Sequence, residues 1–182
     1  MKQRNSQYEY YFKITLDSKF RGQELRKAYR EIVIRENQTL STLARTIVRA
    51  FGFRFDHCYG FYDNFNDPYE SKEMYELFTD IPEEPTPGAL GVVYVKVSTA
   101  FDHVGKKLRF LFDYGDNWWF KVELISINRI NRSIKYPKLL KSVGESPEQY
   151  PALENDFHEE DVGEDTIMKF KSSFSKNKEI VN

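Results

Sequence analysis

The sequence predicts an α+β fold. It is mostly antiparallel sheet, in the order β-β-α-β and then β-α-β-β, with one main amphipathic helix (about 40–51) packed on it. Three stretches carry that expectation. Tyr8–Leu16 alternates, so Tyr8, Tyr10, Phe12, Ile14 and Leu16 line one face of a strand. Leu40, Leu43, Ala44, Ile47, Val48 and Phe51 follow the i, i+3, i+4, i+7, i+8, i+11 spacing of a buried helical stripe. Phe110–Leu124 reads as a β-hairpin holding both tryptophans of the chain.

Taken in order, the first strand leads through a basic connection around Lys19–Lys27 to a second, Tyr29–Arg35, antiparallel to it. Thr39 is the expected N-cap of the helix and Gly52 its C-terminal stop. Cys58–Tyr62 follows as a short strand. Residues 63–90 are acidic and interrupted by Pro68, Pro82, Pro85 and Pro87, which predicts loop with a helical turn or two around Ser71–Phe78. Val92–Val97 predicts a strand, with Ser98 capping a short helix to about His103. The second hairpin strand runs on toward Arg129. Residues 133–163 carry Pro137, Pro147 and Pro151 and read as irregular and surface-lying, the acidic part spanning 143–165; a terminal helix is expected over 166–175. The 182 residues fit a single domain.

The hairpin register follows from burial. A three-residue loop, Gly115-Asp116-Asn117, pairs Tyr114 with Trp118, Phe112 with Phe120 and Phe110 with Val122, placing all six on one face. Such loops usually end on a residue of positive φ, which Asn117 tolerates. Trp118 then belongs to the core. Trp119 points the other way, beside Asp113 and Lys121, either covering an adjacent helix or offering a ring to a nucleic-acid base or a protein partner.

Composition narrows the function classes. Forty per cent of the chain is hydrophobic and 16% aromatic, enough for a ring-rich core. No run approaches the roughly 18 apolar residues of a membrane helix, and the N-terminus lacks the apolar core of a signal peptide. Cys58 is the only cysteine, so a reducing cytoplasm is the expected setting. Net charge is −1 but unevenly spread: 1–35 and 121–141 are basic, whereas 63–87 and 145–165 are acidic. There is no CxxC, HExxH, phosphate-binding glycine loop or Gly-x-Ser-x-Gly elbow, so no cofactor is expected.

Three stretches together resemble the Ri-plasmid ORF-3-like family, some of whose members are labelled passenger or resolvase-like proteins of insertion elements. They are Tyr29-Arg30-Glu31 through the Thr39-Leu40 helix to Asp56-His57-Cys58-Tyr59-Gly60-Phe61; then Phe112-Asp113-Tyr114-Gly115-Asp116-Asn117-Trp118; then Tyr136-Pro137 to Gly144-Glu145 and Pro147-Glu148. The resemblance covers about residues 8–151. Tyr29 and Phe53 stand where the family has Trp, and Phe120 where it usually has His. The resemblance implies a compact α+β fold; the family has no established activity.

The candidate binding residues are His57, Tyr59, Asp113, Asp116 and Trp119. Asp113 and Asp116 flank Gly115 at the hairpin tip, where a nearby His57 could complete a divalent-cation set for hydrolysis. Asp at a turn also bonds backbone amides without any metal, and no metal ligand is assigned. His57 alternatively braces the loop, and Cys58 serves as a small buried apolar group. Basic residues of the Lys2–Arg35 arm and of Arg129–Lys141 could contact phosphates, although a pI near 6.3 speaks against a dedicated DNA binder. The leading expectation is therefore a cytoplasmic interaction or accessory module with an unidentified protein partner and no membrane; the resemblance implies an association with mobile elements. A nucleic-acid-binding module is the alternative, and a metal-dependent hydrolase the second.

Overall fold

The computed structural model describes residues 6–17, 27–80 and 86–150, together with the backbone of 19–20 and 23–24. Apart from Tyr150 these belong to the unit Met1–Gln149. The acidic stretch from 151 onward and the helix expected over 166–175 lie outside the described residues.

Strand β1 (Tyr8–Leu16) is followed by the two-residue strands β2 (Lys19–Phe20) and β3 (Gln23–Glu24), which pair with each other, and by β4 (Tyr29–Arg35). β1 and β4 are antiparallel, with Phe12 opposite Ile32 and Tyr10 opposite Ile34. The alternation read in the sequence is the burial pattern: Tyr10, Phe12, Ile14 and Leu16 are buried.

Helix α1 (Leu40–Ala50) buries Leu40, Leu43, Ala44, Ile47 and Val48 on one stripe. Its first amide hydrogens do not stay orphaned. Leu40 and Ser41 donate to the carbonyls of Val95 and Val92, and Thr42 to the Thr39 hydroxyl, the expected N-cap. At the other end Gly52 has φ +79°, and the Gly52 and Phe53 amides reach back to Arg49 and Val48. Both bonds of a Schellman closure are thus made.

The middle of the chain departs from expectation. β5 (Tyr59–Tyr62) forms as read, starting one residue later. The middle of the Ser71–Phe78 segment is a strand rather than a helix: β6 (Met74–Glu76) pairs with β5, and single-turn 3-10 helices flank it at Pro68–Glu70 and Phe78–Asp80. Val92–Val97 is not a strand. β7 (Leu90–Gly91) is two residues long, and the chain then turns so that Val92 and Val95 offer their carbonyls to α1. Valine-rich composition favoured a strand; the unpaired helix end took the carbonyls instead. α2 (Val97–Ala100) starts after Lys96 rather than at Ser98, with no side-chain cap, and stops at Ala100.

β8 (Lys107–Phe112) and β9 (Trp118–Arg129) form the hairpin, with the second strand reaching Arg129 as expected. The register differs by two residues. Phe112 faces Trp118, Phe110 faces Phe120 and Leu108 faces Val122, so the bend is Asp113–Asn117. A two-residue shift keeps every side chain on its predicted face, and only Tyr114 leaves the ladder. Asn117 has φ +59° as expected; Asp113, at +62°, is the second left-handed residue that lengthens the bend. Finally β10 (Lys138–Val143) replaces part of the supposed irregular segment and pairs with β4.

The eight strands run β10-β4-β1-β9-β8-β5-β6-β7, antiparallel except for β6–β7. α1 covers one face, where Phe51 meets Phe120 at 4.9 Å and Phe53 meets Trp118 at 4.8 Å between ring centroids. On the other face lies a row of opposite charges in register: Lys141, Glu31, Lys13, Glu123 and Lys107 on five successive strands. Arg30 is buried on the helix side. Its guanidinium donates to the carbonyls of Ala50, Tyr29, Val143 and Gly144 and to the Ser146 hydroxyl, and it lies 4.5 Å from the Phe51 ring centroid. One cation thereby ties the C-terminal end of α1 to the end of β10.

Candidate functional site

Three of the residues that the sequence singles out, His57, Asp113 and Asp116, meet at the tip of the β8–β9 hairpin. Asp113 is 5% exposed. One of its carboxylate oxygens accepts from the amides of Gly115 (2.9 Å) and Asp116 (3.2 Å), and its backbone carbonyl accepts from Asn117 at 2.7 Å. A side chain that bonds amides two and three residues on is what lets a non-glycine residue hold positive φ here. Its other carboxylate oxygen stands 3.5 Å from Nε2 of His57, whose Nδ1 is 2.9 Å from Asp56. The imidazole thus sits between two carboxylates, edge-on to Phe112 at 6.1 Å. Gln149 reaches the group through Asp56, its nitrogen 3.5 Å from the Asp56 carboxylate; its amide oxygen accepts the Arg54 amide at 2.7 Å, and its nitrogen donates to the Arg54 carbonyl at 3.2 Å.

The five sequence-selected residues fall in three places. His57 and Asp113 meet, and Asp116 joins them through its backbone amide. Tyr59 is in the core on the helix side, its hydroxyl donating to Ser41 at 2.9 Å. Trp119 lies on the opposite sheet face, across from Leu111 rather than beside Asp113. The Arg109 guanidinium covers its ring at 4.1 Å and is itself held by Asp17 at 3.1 Å. Among the described residues the ring meets Arg109 and Tyr62, both on strands, and not the adjacent helix that was expected. Tyr114, displaced from the ladder, bonds the Tyr62 hydroxyl at 2.7 Å, and Tyr62 donates to the buried carboxylate of Glu76 at 2.6 Å. Burial pushes the Tyr59, Tyr62 and Tyr114 hydroxyls above the ordinary phenol range. Burial also raises the half-buried Cys58 thiol, with the Asp113 charge adding to it, so Cys58 is a poorer nucleophile than a free cysteine.

Residues 9–152 match the family described as plasmid pRiA4b ORF-3-like protein. The chain belongs to that family. In this chain His57 meets Asp113 of the hairpin bend, and the Gly144 carbonyl accepts from Arg30. The fold also resembles the crystal structure of MM3350, a protein of unknown function from Methanosarcina mazei Go1, with a TM-score of 0.61 and 18% identity over 79% of this chain and 73% of that one. No curated protein matches the sequence.

Chemically the tip of this ORF-3-like chain is a closed set. Among the described residues no group of three or more His, Cys, Asp or Glu side chains is placed to hold a metal ion. The Asp113 carboxylate is directed at backbone amides and at His57, and that arrangement fixes a bend. Among the described residues no helix is long and apolar enough to cross a membrane.

A second feature was not legible beforehand. β10 ends the sheet, and its six residues are exposed, Leu139 by 42% and Leu140 by 40%. Between β10 and the outward stripe of α1 runs a groove of about 430 Å³ walled by Thr42, Arg45, Thr46, Arg49, Pro137 and Leu139. The one available signal was the i, i+4 pair Arg45 and Arg49 on the polar side of the helix.

Proposed function

We propose that this ORF-3-like protein is a cytoplasmic, non-catalytic interaction module that meets a protein partner along the outer edge of β10. The observation that carries this reading is the edge itself: a six-residue strand, apolar at Leu139, Leu140 and Val143, ending an eight-stranded sheet. Such edges pair readily with another chain. The self-satisfied tip supports a non-catalytic role, and the plasmid-derived family description supports an accessory role tied to mobile elements. The nucleic-acid alternative is less favoured, because Lys13 stands opposite both Glu31 and Glu123 and Trp119 is covered by Arg109.

Photo-cross-linking tests the reading. A photoreactive amino acid placed at Leu140, and in a separate protein at Tyr94, which is 81% exposed elsewhere, is irradiated in extract of the source cells. One discrete adduct at position 140 and none at 94 is expected. Equal labelling at both positions, or none at 140, refutes the edge as the functional surface.

A further inference from the structure

The groove beside β10 has a chemistry that specifies its occupant. Thr42, Arg45, Thr46 and Arg49 are spaced i, i+3, i+4, i+7, so they form one stripe on the side of α1 turned away from its buried residues. Leu139 pairs with Ile32, which is fully buried beneath α1, and so projects to the helix side of the sheet. A strand added outside β10 keeps the same pleat. Every second side chain of that strand would then face the arginine stripe. Among the described residues neither Arg45 nor Arg49 meets a carboxylate within ion-pair distance; Arg45 lies over the Phe55 ring at 5.5 Å. Lys138 and Lys141 lie along the same edge; among the described residues Lys141 has a carboxylate near, Glu31 at 3.9 Å, and Lys138 has none within ion-pair distance.

We propose that this groove binds an extended, acidic segment of a partner protein, which adds to β10 as a further strand and turns alternate carboxylates toward Arg45 and Arg49. This rests on the interaction-module reading and names the partner's chemistry. Backbone hydrogen bonds along β10 hold the segment and the arginines select charge, while the segment's alternate apolar side chains lie on the face turned away from α1. The same cations disfavour a second copy of the chain, since apposing two β10 edges sets four lysines along one ladder. The register shift between Leu139 and Lys141 on the β4 side bends the edge, which restricts it to a short segment rather than an open-ended sheet.

The test uses the full chain and three labelled peptides of about six residues, the strand length of β10, read by fluorescence anisotropy. One alternates Glu and Val, one carries Lys for every Glu, and one is the Glu–Val peptide with alternate backbone amides N-methylated. The Glu–Val peptide is expected to bind about tenfold or more tighter than either other, the ratio given by about 1.4 kcal/mol, and to weaken as salt rises. Joint substitution of Arg45→Glu and Arg49→Glu, both on the solvent side of α1, is expected to reverse the preference toward the Lys peptide. Hydrogen exchange should show the amides of 139–143 slowing on addition of the Glu–Val peptide. Equal binding of Glu and Lys peptides overturns charge selection, and equal binding of the N-methylated peptide overturns strand addition. Amides of β10 already fully protected in the chain alone overturn the proposal outright, because the edge is then occupied. If no peptide binds while Leu140 still cross-links to a protein, the module reading survives and the acidic partner does not; if both fail, both readings fall.

Discussion

Arg30→Met breaks a buried network of five hydrogen bonds, and its effect can be worked from contacts. The guanidinium nitrogens donate to Ala50 at 2.9 Å, Tyr29 at 2.9 Å, Val143 at 3.0 Å, Gly144 at 3.2 Å and Ser146 at 2.7 Å. A cation at a helix C-terminus in a partly buried site contributes up to about 2 kcal/mol. Each buried carbonyl left without a donor costs about 1–3 kcal/mol, though water can reach those at the exposed end of β10. Against this, removing the charge relieves the burial that holds the Arg30 pKa below its ordinary value. Methionine keeps contact with Phe51. The net loss should be about 3 kcal/mol, in the range expected when a buried polar network is broken. Arg30→Lys should lose about 2 kcal/mol, because one ammonium cannot span both the helix end and β10. The assay is urea unfolding followed by tryptophan fluorescence, since Trp118 is buried, comparing midpoints at unchanged m-value. A loss below about 0.5 kcal/mol for Arg30→Met, the size of an ordinary surface change, refutes the role assigned to Arg30.

Two further outcomes follow from the same structure. Gly144→Ala should cost at least about 1–2 kcal/mol in urea unfolding, because Gly144 has φ +75° and an added Cβ would meet the Lys27 carbonyl; a neutral result contradicts the packing of Gly144 against Lys27 and Ala28. Tyr75 is pushed up to about 12, chiefly by burial with Glu73 adding, from an unfolded value near 10. The folded state then holds that proton where the unfolded state releases it, so the contribution is complete below about pH 10 and is lost as pH rises through about 12. Denaturation midpoints taken from pH 9 to 12 should fall across that window, and Tyr75→Phe should flatten the fall; an unchanged slope contradicts the assignment.

Much of the architecture was legible because it depends on local periodicity. β1, β4 and α1 appear where alternation and the helical stripe place them, and Thr39 and Gly52 close the helix by side-chain and backbone geometry that any sequence shows. The hairpin face was legible and its register was not, since burial constrains parity only and Asp113 added a second left-handed residue. β10 was hidden by its position: an exposed edge strand with lysines carries no apolar alternation. Val92–Val97 misled because β propensity speaks for side chains, whereas Val92 and Val95 are used for their carbonyls at the helix start. At the candidate site the meeting of His57 with Asp113 could be anticipated from the family runs that contain them. The cover of Trp119 by Arg109 and the groove below α1 could not, because both depend on strand order across the sheet.

The central claim about the tip is that Asp113 serves as a turn acceptor rather than a reacting or metal-holding group. Urea unfolding of Asp113→Asn beside Asp113→Ala tests it most directly, each with and without added Zn²⁺, Mn²⁺ or Mg²⁺. Asparagine keeps an oxygen for the Gly115 and Asp116 amides and tolerates positive φ, so it should stay within about 1 kcal/mol of the parent while alanine loses about 2–3 kcal/mol. No cation should move the parent's midpoint. Equal damage from both substitutions, together with a metal-dependent rise in the parent's stability, would contradict the account.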